Sequence, residues 1–188
     1  MQLNILFRYF FTRFLAALVL VLTIFLLVDC NAKNKSNVNK IVIATDATLP
    51  PMSFVGENKK LKGFEPDLVK LLAKETGLDI KLINVEWAGL FGGLITKKFD
   101  AVISSVTILE ERKEKMAFSI PYLKSGLALV VNKESEKITG FFDIKKNNII
   151  VGAQIGTTAY FLLEKEPKIK TKGYQLYGHA IADLIKGE

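Results

Sequence analysis

The chain has 188 residues, with 26 Lys plus Arg against 19 Asp plus Glu, a formal charge of +7 and a single cysteine. That length suits one ordinary domain or two small lobes, and one cysteine excludes a disulfide within the chain. The basic excess is spread over separated lysines, with no arginine-rich stripe and no lysines interleaved with aromatics, so composition argues against nucleic-acid binding and is compatible with acidic solutes or anionic lipid surfaces.

Residues 1–29 read as a leader. Arg8 and Arg13 form a positive head, and Phe14 to Val28 is an uncharged run ending at Asp29 and Cys30. The run fits a signal-peptide core better than a spanning helix, which needs about 18 to 20 residues. Leu27-Val28-Asp29-Cys30 resembles a lipobox, in which the cysteine is acylated and becomes the new N-terminus; Asp29 departs from the small residue usual there. The alternative is an uncleaved signal anchor. Either way the rest is expected outside the cytoplasmic membrane, in the periplasm or at the cell surface. Residues 30–40 are polar, without apolar period, and read as a flexible tether.

From Ile41 the pattern alternates strands and helices, which predicts α/β layers. Ile41 to Ala44 is a buried strand with Asp46 at its carboxyl end. Leu49-Pro50-Pro51 breaks regular structure, and Gly56 to Lys62 is a turn-rich excursion. Pro66 opens a helix that carries Leu68, Leu71 and Leu72 at helical spacing and stops at Gly77. Ile80 to Val85 is the next strand, leading to Trp87, and residues 88–96 form a short Gly-rich helix.

The most informative stretch is Asp100 to Tyr122. Ala101-Val102-Ile103 reads as a buried strand of a parallel sheet, and it ends in Ser104, Ser105 and Thr107. Hydroxyls at the carboxyl end of such a strand are where an open α/β sheet meets a ligand. Arg112 follows, and past the leader it is the only arginine, every other basic side chain but the single His being Lys. That bias marks a position needing a planar, five-donor fork able to grip a carboxylate; the competing reading is one more charge on a solvated helix with Glu110, Glu111 and Lys113. Downstream, a strand is predicted at Gly126 to Val131, a linker at Gly140 to Asp143, and a buried strand at Ile149 to Val151. That strand runs through a glycine turn into Thr157 and Thr158 at a helix start, either an anion site or an ordinary cap. A strand at Tyr174 to Tyr177 and a helix at His179 to Lys186 complete the chain.

Six segments, IVIATDATLPPMSF, LKGFEPDLVKLLAKETG, WAGLFGGL, KKFDAVISSVTILEERKEKMAFSIPY, GLALVVNK and VGAQIGTTAYF, stand in order between Ile41 and Phe161. They resemble the extracellular solute-binding proteins of the polar amino acid uptake systems, solute-binding protein family 3. The resemblance implies a two-lobed periplasmic-binding-protein-like α/β fold, lobe 1 at 41–123 and a second, incomplete lobe at 124–188. An amino acid would be held between the lobes and delivered to an ABC permease in the membrane, with Cys30 tethering the chain to the bilayer. Carried over by position, Arg112 clamps the ligand's α-carboxylate, helped by the backbone and hydroxyl near Thr107 and by Thr158 from the other lobe, with Thr157 beside it a further ligand-binding candidate. Ser105 and the backbone around it take the α-ammonium together with an acidic residue, Asp46 sits near the ligand's side-chain end, Trp87 walls the pocket, and Ser104 is a further ligand-binding candidate.

Two departures modify that expectation. Leu49 stands where many relatives carry an aromatic, and the sequence ends at Glu188, where relatives continue into an Asp-bearing strand, the return crossing and closing helices. A truncated remnant without binding activity is therefore one alternative. Others are a sensory ligand-binding module and a cyclohexadienyl-dehydratase-like enzyme, in which Asp46 or Glu86 would have to act as base. The single histidine, His179, is expected on a surface helix, and no residue cluster has metal-ligand or nucleophile spacing, so neither cofactor nor metal is implied.

Overall fold

A computed structural model describes residues 40–135, 138–147 and 149–187. The leader, Cys30 and the tether up to residue 39 lie outside the described residues. Strand β1, Ile41–Thr45, is the centre of a three-stranded parallel sheet, flanked by β5, Ile80–Asn84, and β6, Ala101–Val102. Its register sets Ile43 opposite Leu82 on one side and Ala101 on the other.

Alternation along β1 builds two cores. Ile43 packs with Val69 and Ile103, with Ile41, Leu68, Ile80 and Leu82 around them. Ala44, on the other face, packs with Leu90 and Phe99, with Val42, Ile83, Val85, Trp87 and Leu94 around them. Both faces are therefore apolar, as a parallel sheet covered by helices on each side requires. Helix α1, Phe64–Thr76, covers the first face and α2, Trp87–Ile95, the second. Gly77 closes α1 in the left-handed conformation at φ 68°, its N–H donating to the Ala73 carbonyl.

The excursion after Asp46 is a small antiparallel meander of β2, Thr48–Leu49, β3, Ser53–Val55, and β4, Leu61–Lys62. It docks the start of α1. The Phe64 and Glu65 N–H groups, orphaned at a helix start, donate to the carbonyls of Pro51 and Met52 at 3.1 and 2.9 Å. Gly63 permits this approach: it has φ 120°, and a Cβ there would lie 2.5 Å from the Met52 oxygen.

A second parallel pair, β7, Ile150–Gln154, and β8, Lys170–Tyr174, carries helices α5, Thr158–Glu164, and α6, Tyr177–Lys186. Its core is Ile144, Ala153, Leu163 and Ile169. In chain order the one-turn helix α3, Glu110–Lys113, and α4, Phe141–Asn147, come between β6 and β7, and α4 gives Ile144 to the second core.

Three expectations are corrected. Gly126 to Val131 is not a strand: the segment pairs with no other among the described residues, leaving Leu127, Leu129 and Val130 exposed, and β-propensity without a partner does not make a ladder. The linker at Phe141 is a helix, because Asp143 accepts hydrogen bonds from the Thr139 and Gly140 N–H groups and the Thr139 hydroxyl, capping it. The last strand ends at Tyr174 instead of beginning there. Lys172 and Tyr174, two residues apart on one face of the strand, both donate to Asp183 Oδ2 on α6, at 2.9 and 2.7 Å.

Candidate ligand-binding site

In the parallel sheet β1 and β6 are neighbours, so the segments that leave their carboxyl ends, Asp46 after one and Ser104 to Thr107 after the other, are placed side by side. The Asp46 N–H donates to Ser104 Oγ at 3.0 Å, joining them directly. Asp46 Oδ2 accepts the Trp87 N–H at 3.0 Å, where α2 begins, so the carboxylate also complements that helix's N-terminal end. Asp46 is only 6% exposed, and its Oδ1 is buried without a hydrogen-bond partner among the described residues. An unsatisfied buried oxygen of this kind costs roughly 1–3 kcal/mol, and more when charged.

Arg112, on α3, is 7% exposed. Its guanidinium donates to the Thr107 carbonyl at 2.9 Å and the Gly156 carbonyl at 3.0 Å, spanning the turns that follow β6 and β7. The guanidinium carbon lies 5.0, 5.7 and 5.9 Å from the ring centroids of Phe91, Trp87 and Phe161. Three faces at that range form a cation–π enclosure. Burial lowers the arginine's pKa from its ordinary value, with Glu111 opposing, and a guanidinium remains charged regardless. Arg112 forms no ion pair with a carboxylate among the described residues. Its positive charge is thus surrounded by aromatic rings and hydrogen-bonded to carbonyl dipoles, with Glu111 adding a more distant attraction. The exposed Lys165–Glu111 pair, 3.3 Å apart, joins the same two parts of the chain.

Of the residues singled out from the sequence, Asp46, Trp87, Ser104, Thr107 and Arg112 are linked by these contacts. Ser105 is turned into another network, described below. Thr157 is the N-cap of α5: its Oγ1 accepts the Tyr160 N–H at 3.3 Å and donates to the Gln154 carbonyl at 2.7 Å. Thr158 is half-buried one residue later, with no side-chain hydrogen bond among the described residues. His179 is exposed on α6, and Cys30 lies outside the described residues. No group of three potential metal ligands occurs among the described residues.

The sequence reading missed Glu65, Phe91, Tyr122 and Phe161. Glu65, in the first turn of α1, is 1% exposed. Its Oε1 accepts from the Ser105 N–H, from Ser105 Oγ at 2.9 Å and from Tyr122 Oη at 2.8 Å, while Oε2 takes Thr45 Oγ1 at 3.4 Å. Burial first, and then the Glu65 carboxylate, push the Tyr122 phenol's pKa up from the ordinary tyrosine value. The available signal was an acid between Phe64 and Pro66, indistinguishable in sequence from the acids that usually complement a helix start.

Comparison with proteins of known structure places this architecture. The arginine-bound Gly52Ala form of an arginine-binding protein from T. maritima superposes with a TM-score of 0.73 at 35% identity, covering 79% of this chain and 69% of that one. An ancestral amino acid-binding protein described as a precursor of cyclohexadienyl dehydratase gives 0.74 at 36% identity, over 79% and 66%. The fold is therefore the α/β type of the periplasmic binding proteins. The family model of the bacterial extracellular solute-binding proteins, family 3, matches residues 41–184, and the chain belongs to that family. Among curated relatives, the ABC transporter arginine-binding protein 1 of Escherichia coli is 33% identical over 153 residues, 81% of this chain and 61% of its own length. The L-cystine-binding protein TcyJ of Escherichia coli is 39% identical over 113 residues, 60% of this chain and 42% of its own. The chain thus spans roughly two fifths to three fifths of these relatives.

Proposed function

We propose that the protein captures an amino acid with a cationic side chain between its two parallel sheets, on the outer side of the membrane, for delivery to an ABC permease. The observation that carries this reading is a pair of buried groups of opposite kind, Arg112 on α3 and Asp46 after β1: among the described residues Arg112 has no carboxylate ion-pair partner and Asp46 Oδ1 no hydrogen-bond partner. A cationic amino acid carries the complement of both. Its α-carboxylate would take the guanidinium fork, exchanging the Gly156 carbonyl for a charged acceptor, and its side-chain cation would satisfy Asp46. Trp87 and Phe91, edge to face at 5.3 Å, would flank the aliphatic part. Relatives named for arginine binding make arginine the first ligand to try.

The lobes would divide at residues 123 and 124, giving 41–123 and 124–188, and Cys30 would carry the lipid that holds the chain at the membrane. A binding role is favoured over a dehydratase because the one histidine is exposed on α6 and the relatives named above are binding proteins.

Trp87, the single tryptophan, reports on the site. Titration of the full chain with L-arginine, L-lysine, L-glutamine, L-glutamate and L-cystine should give saturable fluorescence changes strongest with the cationic ligands, and Asp46→Asn should erase that preference while keeping some binding. No saturable change with any of them, or a preference for glutamate untouched by Asp46→Asn, would overturn the reading.

A further inference from the structure

We infer that Glu65 is a positioning residue for the ligand site: its buried carboxylate holds the turn after β6 in the shape that presents Thr107 to Arg112. This rests on the binding role proposed above, but the device itself is read from the fold.

Four donors from three separate places converge on Glu65. Thr45 comes from the end of β1, Ser105 gives both its N–H and its hydroxyl from the turn after β6, and Tyr122 comes from the end of the Asp100 to Tyr122 unit. Every one of them donates, the set that an acceptor-only group requires. The Ser105 N–H lies also 3.1 Å from Tyr122 Oη, closing a ring of three groups. Ser105 itself has φ 47°, the left-handed region, which a serine occupies at a cost and only where its surroundings over-determine it. The two bonds from Ser105 to one buried oxygen supply that determination. Two residues further on, the Thr107 carbonyl receives Arg112, so the conformation at Ser105 sets where that carbonyl lies.

Glu65 is held in turn from behind. Its own N–H is fixed to the Met52 carbonyl, and the Phe64 ring stacks on Tyr122 with centroids 6.2 Å apart. The meander and the start of α1 therefore act as a mount for one carboxylate, and that carboxylate mounts the ligand turn. A carboxylate serving only the core would have no need to spend two of its bonds on a strained serine.

The test uses the full chain and the variants Glu65→Gln, Tyr122→Phe, and Glu65→Gln with Ser105→Gly. Amide exchange of Ser105 should quicken by at least about tenfold in Glu65→Gln while the β1 amides of Ile43 and Ala44 keep their protection, since a local opening leaves the sheet closed. Tyr122→Phe, which removes one of the three donors to Oε1, should give a smaller change of the same kind. Affinity for L-arginine should fall by about tenfold in Glu65→Gln and return in large part when Ser105→Gly is added, because glycine adopts positive φ without support. Unchanged Ser105 exchange, or exchange that rises equally throughout β1 with no recovery from Ser105→Gly, would show Glu65 to be an ordinary part of the core. Should the wild type bind no arginine, the ligand reading fails, and the local exchange at Ser105 by itself decides whether Glu65 holds the turn.

Discussion

Replacement of Arg112 by lysine keeps the charge and removes the geometry. The guanidinium reaches two carbonyls at 2.9 and 3.0 Å while facing three aromatic rings within 6 Å, and a lysine ammonium cannot do both from one position. Losing one charge-assisted hydrogen bond to a ligand carboxylate costs about 1.5–3 kcal/mol. Desolvated cation–π contact adds up to about 2 kcal/mol, although lysine keeps part of it. With about 1.4 kcal/mol per tenfold, Arg112→Lys should weaken arginine binding by roughly 10- to 150-fold, read by calorimetry or Trp87 fluorescence. Thermal stability should change little, because the ammonium can still reach one of the two carbonyls. An affinity within threefold of wild type would refute the carboxylate clamp. Equal losses of affinity and folding would refute it too, by assigning Arg112 to the scaffold.

Further outcomes follow from the packing and the buried network. Tyr122 has a native pKa raised above its unfolded value, so its contribution to stability is complete below about pH 10 and is lost as pH climbs through the raised native value; denaturant unfolding between pH 8 and 11 should show a steeper alkaline decline for wild type than for Tyr122→Phe. Gly63→Ala sets a Cβ 2.5 Å from the Met52 oxygen at a φ of 120°, and should destabilise by at least about 1–3 kcal/mol in denaturant unfolding. Leu90, fully buried beside Ala44 and Phe99, should lose about 2–5 kcal/mol on truncation to alanine. Calorimetry should then find Tm lowered by roughly 5–20 °C.

Much of the scaffold was legible because it rests on local rules. The apolar run of β1, the αL glycine that ends α1 and the scarcity of arginine that pointed to Arg112 are all properties of neighbouring residues or of simple counts. What escaped depends on distant partners. Glu65 meets Ser105 and Tyr122 across forty and fifty-seven residues, and no periodicity signals such a meeting. Gly126 to Val131 has strand composition, yet a strand is a relation between two segments. Phe141–Asn147 looked like a linker because its capping acid lies inside the helix, not ahead of it. Thr157 carried the right residue type for a ligand contact, but its hydroxyl is engaged in starting α5.

Asp46 has one oxygen fastening the first residue of α2 and the other, among the described residues, unbonded. On the binding role proposed above, a substitution that removed the acceptor along with the charge, such as Asp46→Ala, would at the same time loosen the start of the helix carrying Trp87 and Phe91. On that same role, a change of ligand range that spares the scaffold falls to positions such as Leu49, whose side chain is 42% exposed.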